Sequence, residues 1–464
     1  MKKIYIILLI NILSINAIVK CQTLDVAVES GPKSAEDRIW DSHDVTAQDG
    51  KQIYFFHQGF ALSQIECVNS ESLETVYKES VNIPCQFLNV GSTTYTGNCH
   101  LFCNNNKLLY VGENFDKKKT QQVFSQLFAS NSGSTLSEPK MLLEQEIVEN
   151  KPLEILFLQS ADGDGKQILI LTHNNNDNIF NYKVIDFNNE IVSTGNFTVE
   201  LKAGAEIGNI SFNSDGSIYF YIPAMHKFYI QNIKKNSQKS FDIEFSSCKI
   251  NQMTFKVTTD KVIFAGLCGA DNDKQNICIS VLDINTGVIN SNPLKAIASS
   301  LAIKKDYFQI SNFKMKENGG FYIIVEERGQ FEVGQRSQVA TVVGNIIVFN
   351  YDENYNFKWE KKVERLIYYN YPELDRIRHY ASLVNNKLIL IYNLKGEDGK
   401  GRIINLTAGI FNESGDYTSK KVIEYEKGGP LGFRTDCVIK TAGKSFISFQ
   451  REKKDYIFTK LSFR

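Results

Sequence analysis

Two adjacent glutamates, Glu326 and Glu327, close a strongly apolar run, and Asp352 and Glu353 follow in a polar corner of the same region. Paired carboxylates can share acid and base work on a glycosidic bond when they stand about 5–10 Å apart and one keeps its proton at neutral pH. Neighbours along a strand point to opposite faces, so Glu326 and Glu327 cannot be that pair. Structural or solvated carboxylates are the preferred reading. The stretch Ser160-Ala161-Asp162-Gly163-Asp164-Gly165-Lys166 sets carboxylates two apart among glycines, in the manner of a calcium loop. A full loop needs about twelve residues and a closing bidentate glutamate. That glutamate is missing, and a hairpin corner accounts for the composition.

The six histidines, His43, His57, His100, His173, His226 and His379, show no metal-ligand spacing. Cys99 and Cys103 are the one close cysteine pair, and on a strand residues four apart lie about 13 Å from each other. No Gly-x-Ser-x-Gly elbow and no His-Glu-x-x-His occurs. Gly428-Gly429-Pro430 reads as a linker, since neither a strand nor a helix start frames it as a phosphate loop. Asn196, Asn209, Asn405 and Asn412 match the N-glycosylation acceptor, which matters only in a eukaryotic host. These residue types nominate no catalytic group, no cofactor and no metal ligand.

One segment is better suited to recognition than to catalysis. After Arg38 the chain holds no arginine until Arg328, and then carries nine. Among them lies Tyr368-Tyr369-Asn370-Tyr371-Pro372-Glu373-Leu374-Asp375-Arg376-Ile377-Arg378-His379-Tyr380. Tyrosine and arginine supply large contact area and directional donors at modest entropic cost, which is why they dominate binding hot spots. Tyr368, Tyr369, Tyr371, Arg376, Arg378 and Tyr380 are therefore candidate partner-binding residues. Arg336 joins them from the long loop 328–343, which would project beside the segment. Packing and ion pairing between neighbouring units is the competing reading.

The elements that would position these residues are short strands in a repeating order. Runs of alternating character rich in Ile, Val, Phe and Tyr recur at 107–111, 168–172, 218–222, 261–266, 320–326, 387–392 and 444–450. Each follows a corner of Asn, Asp or Gly, which tolerate the positive φ that tight hairpins need. A strand precedes each corner and two more follow, so a four-strand unit restarts roughly every 55 residues. Units fall near 39–83, 97–142, 155–201, 210–245, 253–297, 310–366, 379–426 and 435–464. The last holds only three strands, and Thr23–Val28 is a lone strand at the other terminus. The pattern predicts an all-β fold, a single β-propeller of eight blades, with the N-terminal strand completing the final blade and removing its open edge. Seven blades is the alternative, if the short fourth unit merges with a neighbour.

The chain has 464 residues, and its 52 basic side chains balance its 52 acidic ones. That neutrality excludes the basic footprint of a nucleic-acid binder. Met1-Lys2-Lys3, an apolar run from Ile4 to about Ile15 and a small-residue exit read as a secretory signal over residues 1–21, cleaved after Ala17 or Cys21. The propeller then occupies 22–464, with no transmembrane segment in the mature chain. An exported protein with nine cysteines permits disulfides. Cys268 and Cys278, which flank the polar stretch 269–276, are the best pair, and buried thiols are the alternative.

The stretch Gly319-Gly320-Phe321-Tyr322-Ile323-Ile324-Val325-Glu326-Glu327, with Gly344-Asn345-Ile346-Ile347-Val348-Phe349 and Asn356-Phe357-Lys358-Trp359 after it, resembles exported β-propeller-like repeat proteins of Bacteroidota. In those, a glycine-led strand ending in Glu precedes an apolar strand and a turn leading to Trp. Leu388–Asn393 is similar to their next blade. The resemblance covers roughly a quarter of the chain and implies a place in the periplasm or at the outer-membrane periphery, with no activity attached.

The function expected is that of a non-catalytic exported propeller that binds a protein partner, as an accessory subunit of a cell-envelope assembly. It would be periplasmic, outer-membrane-associated or secreted outright. The alternatives are a propeller hydrolase or lyase acting on carbohydrate, and a carbohydrate-binding module.

Overall fold

The computed structural model describes residues 24–464 except 36–41, 50, 59–62, 82–86, 91–92, 117–119, 148–151, 163–164, 174–177, 203–204, 245–249, 270–273, 299–305, 334–337, 366, 371–377, 396–402, 426–432, 442–443 and 453–454. Its sheets form the eight blades of a β-propeller. Blades 1 to 7 lie within 42–81, 99–146, 154–198, 210–242, 250–291, 306–363 and 379–424, each a four-stranded antiparallel meander in chain order. The short fourth unit is a complete blade, so the seven-blade alternative falls away.

Blade 8 is assembled from both ends of the chain. Its strands Ile439–Lys440, Ser445–Glu452 and Asp455–Phe463 come from the C-terminus, and Val26–Ala35 adds the fourth. The N-terminal strand runs antiparallel to the last one, with Val26 opposite Phe463 and Glu29 opposite Lys460. It extends further than the expected Thr23–Val28, passing a register shift between Ser30 and Lys33. The edge that three strands would leave open is thereby paired.

The apolar runs are explained by what lies on either side of each blade. In blade 6, Phe321, Ile323 and Val325 pack against blade 5, while Tyr322 and Ile324 pack against blade 7. In blade 1, Ile53 and Phe55 meet blade 8, and Tyr54 and Phe56 meet blade 2. A second strand buried on both faces must be continuously apolar, whereas fourth strands on the rim, such as Ser237–Asp242, are largely exposed. One hydrophobic cluster fills each interface between successive blades, and the cluster joining blade 8 to blade 1 closes the ring. Each buried Phe or Tyr in these layers contributes about 1.5–3 kcal/mol.

The disulfide expectation is corrected here. Cys268 and Cys278 are thiols, not a bridge. The third strand of blade 5 starts at Lys274, inside the stretch taken for a loop, so Cys268 stands opposite Asn276 and Cys278 opposite Gly266. The two cysteines are diagonal neighbours, about 7–8 Å apart at Cα in this arrangement. That is beyond the usual span of a disulfide. Both are buried in the layer between blades 4 and 5.

A candidate functional site on the face of the long connections

The two faces of the disc differ. On one, the corners joining first to second and third to fourth strands are tight. Asn105 and Asn106, and likewise Asn385 and Asn386, hold positive φ of 48–60°, which Asn tolerates better than bulkier residues. Several corners also bond to the next blade. The Asp162 carboxylate accepts from Ser214 N and Ser214 Oγ (2.8 Å for the hydroxyl), so the calcium-like stretch serves as a corner. Asp352 likewise accepts from Asn354 N and Asn356 N inside its own turn.

The opposite face carries the longer connections and the strands that the repeat does not require. A hairpin of Phe87–Val90 with Thr93–Thr96 lies between blades 1 and 2. Lys295–Ala298 pairs with the start of the third strand of blade 5. In blade 6 the loop expected at 328–343 is instead an extended hairpin of Phe321–Val333 and Gln338–Tyr351. Ile367–Asn370 adds a strand to it, with Tyr368 opposite Val342 and Tyr369 opposite Thr341. The projecting hairpin and Ile367–Asn370 are thus one sheet.

Under this face the second strands end in buried polar groups that tether the connections. Glu113 accepts from Asn98 N at 3.0 Å, and Asn393 Nδ2 donates to the Phe433 carbonyl at 2.9 Å. Glu326 is the most heavily bonded of them. Arg365 Nη2 reaches its Oε1 at 2.5 Å, His379 Nδ1 stands 3.1 Å from the same oxygen, and Arg328 Nε and Nη2 reach Oε2 at 2.8 and 2.7 Å. Burial pushes the Glu326 carboxyl up, but Arg365, His379 and Arg328 together outweigh it and hold the group well below the ordinary carboxylate range. Burial, partly countered by Glu326, lowers the pKa of His379 below the ordinary histidine value. Arg365 precedes the 366–378 segment and His379 follows it, so Glu326 fastens both ends. A bulge at Gly344 and Asn345, opposite Glu327, presents the Gly344 carbonyl to Arg365 Nε and Asn345 Oδ1 to Arg365 N. Glu327 accepts separately from Asn345 Nδ2 at 2.6 Å.

Beside this clamp, between the first strands of blades 6 and 7, lies a pocket of about 100 Å³. Ser311 opens into it because it is the extra residue of a bulge between Ile310 and Asn312. Ser311 Oγ is 2.9 Å from His379 Nε2 and 3.0 Å from the Ile324 carbonyl. Ser311, His379 and Glu326 therefore stand in the order nucleophile, base and carboxylate.

Of the expected partner-binding residues, Arg378 is exposed and lines the pocket. Tyr380 is half-buried and packs edge-on against Phe446 of blade 8, ring centroids 5.7 Å apart. Tyr368 and Tyr369 lie on the added strand, while Tyr371, Arg376 and Arg336 lie outside the described residues. Arg365, Ser311, Gln309 and Asn312 carried no functional signal in the sequence. The bulge that brings Ser311 and Asn312 to one pocket has no local signature.

No protein-family model matches the chain, and no curated protein matches it in sequence. Solved structures with similar coordinates include the WD40 domain of SCAP from fission yeast, at 10% identity, TM-score 0.45, 94% of this chain and 98% of that one. A europium-containing methanol dehydrogenase aligns at 9% identity and TM-score 0.46, over 93% of each chain. The Nup133 β-propeller domain of Vanderwaltozyma polyspora aligns at 10% identity with TM-score 0.38, over 78% of this chain and all of that one.

Proposed function

We propose that this propeller binds a protein partner through the face of the long connections, and that it does so as an exported, non-catalytic accessory subunit of a cell-envelope assembly. The observation that carries the reading is the extension of blade 6. A 13-residue and a 14-residue strand form a hairpin beyond the blade, a further strand is added to it, and a buried carboxylate anchors both ends of the Tyr/Arg segment. Fixing Arg365 and His379, the residues that flank the segment, lowers the entropy lost when a partner binds between them. Tagging the chain in its host should recover a partner that Tyr371→Ala with Arg376→Ala loses, while the melting temperature stays nearly constant. Equal recovery from the double variant sinks the reading.

A second reading is ester or amide hydrolysis through Ser311, which the alignment with His379 and Glu326 favours. The electrostatics oppose it. A triad carboxylate stabilises the imidazolium that forms as the base takes the proton, but two guanidiniums already draw on Glu326. Ser311 also shares its one proton with the Ile324 carbonyl. Labelling of Ser311 by a fluorophosphonate, absent in Ser311→Ala, would establish this second reading.

A further inference from the structure

The outer strand of blade 3, Ile191–Thr198, differs from the outer strands of the other blades. Six of those seven carry lysine and an acid together, as with Lys78 and Glu79 in blade 1 or Lys420 and Glu424 in blade 7. The seventh, in blade 5, is three residues long. Charge and shortness both keep an open edge from pairing with foreign backbone. Ile191–Thr198 has eight residues and no charged side chain, and its Ile191 and Val192 are 43% and 50% exposed. A bulge at Val192 leaves 193–198 as the straight part. No strand pairs with its outer side among the described residues.

Register fixes which backbone groups that side presents. Val199 N bonds to the Asn178 carbonyl at 2.9 Å, and facing residues of an antiparallel ladder alternate between bonded and unbonded pairs. Thr198, Asn196 and Thr194, opposite Ile179, Asn181 and Lys183, therefore turn their N–H and C=O outward. Gln238 Nε2 of blade 4 meets the Thr198 carbonyl at 3.1 Å, as an outward group requires. Thr194 and Asn196 also border a groove of about 340 Å³ between blades 2 and 3. Leu143 and Ile170 line it with them, and its Lys183 is turned to the Leu142 carbonyl of blade 2.

We infer that the outer edge of blade 3 takes up an extended segment of another protein as a fifth strand, with bulky apolar side chains over the groove. Strand addition draws affinity from main-chain hydrogen bonds and selectivity from recesses that receive every second side chain. Residues of the added strand that face Thr194 and Asn196 direct their side chains to the groove side. A second copy of this edge fits the groove less well, because its own residues on that side are Thr194, Asn196 and Thr198. The surface lies on the rim, so the inference stands apart from the binding proposed for the face of the long connections.

The test uses the full chain and the amidated peptide Thr-Val-Thr-Leu-Thr-Val-Thr with an N-terminal fluorescein, followed by anisotropy. The peptide should bind saturably. Methylating the leucine and valine nitrogens, which meet the edge when their side chains meet the groove, should weaken binding at least about tenfold. Methylating the two threonine nitrogens beside the leucine, which face away, should change it by less than about twofold. Thr194→Lys and Asn196→Lys, both at exposed positions, should each weaken it about tenfold with the melting temperature unchanged. No saturable binding, equal effects of the two methylation patterns, or indifference to both lysine variants overturns the inference. A dimer seen by light scattering and dissolved by Asn196→Lys would place a second copy on the edge and also overturn it. So would a glycan on Asn196 in protein from its own host, which would cover the same edge.

Discussion

His379 Nδ1 lies 3.1 Å from Glu326 Oε1, joining the first residue of blade 7 to the second strand of blade 6 across 53 positions of sequence. Arg365 meets the same oxygen, so one carboxylate holds blade 6, blade 7 and the connection between them. Removing one member of a buried ionic cluster leaves the others uncompensated, at about 3–5 kcal/mol. Glu326→Gln should lose that much in urea denaturation and should also reduce partner recovery under conditions where the protein is still folded. A loss below about 1 kcal/mol would show that the cluster is solvated in solution.

Acid should destabilise the protein in two stages. The folded-state pKa of His379 is depressed below its ordinary 6.5, burial being the first cause. The unfolded chain therefore takes up that proton first, and stability falls as pH drops below about 6.5. Glu326 and Glu66 are held below 4.5, because burial is outweighed by Arg365, His379 and Arg328 around Glu326, and by the His57 hydrogen bond with Lys78 and Thr75 around Glu66. Their contribution is fully present above the unfolded value and is lost as pH falls beneath it toward the folded values. Glu113 runs the other way. Burial raises its pKa, so its contribution is present below 4.5 and lost as pH rises through the raised value. Denaturation midpoints from pH 8 to 3 should show the acid loss, and His379→Gln should remove its first stage.

The ring should depend on its N-terminal strand. Beginning the chain at residue 36 would uncover the strand Asp455–Phe463 and expose Phe463, which is buried against the same layer as Val26. Such a chain should aggregate or unfold at low denaturant. Val26→Asp should cost about 2–4 kcal/mol by placing a charge in that layer. A truncated chain with an unchanged denaturation midpoint would contradict closure through this strand.

Gly415 holds φ of +87° in a corner of blade 7, and an added Cβ would stand 2.9–3.1 Å from the Trp359 ring of blade 6. Trp359 Nε1 donates to the Glu413 carbonyl of the same corner at 2.7 Å. Gly415→Ala should cost about 1–3 kcal/mol from backbone strain. Quenching or shift of Trp359 fluorescence before global unfolding would report the loosened contact.

Cys268 and Cys278 should carry thiols in the purified protein. Peptide mapping after alkylation in denaturant, without reductant, should return both residues singly modified. A peptide joined through these two sulfurs would contradict the register of blade 5.

The repeating corners and strand runs, and hence the blades and the pairing of the first strand with the last, were legible because each is a local signal of period and turn chemistry. Even the direction of Glu326 follows from parity, since Tyr322 and Ile324 before it face blade 7. What the chain by itself could not disclose is that Glu326 would meet Arg365 and His379, or that Ser311 and Asn312 would reach the same pocket. The expectation that Glu326 and Glu327 point to opposite faces of one strand carries no information about the clamp. Those relationships depend on a bulge in each of two strands and on the docking of one blade against the next. Register shifts and inter-blade contacts are set by the packing of the closed ring as a whole, which no short window of sequence records.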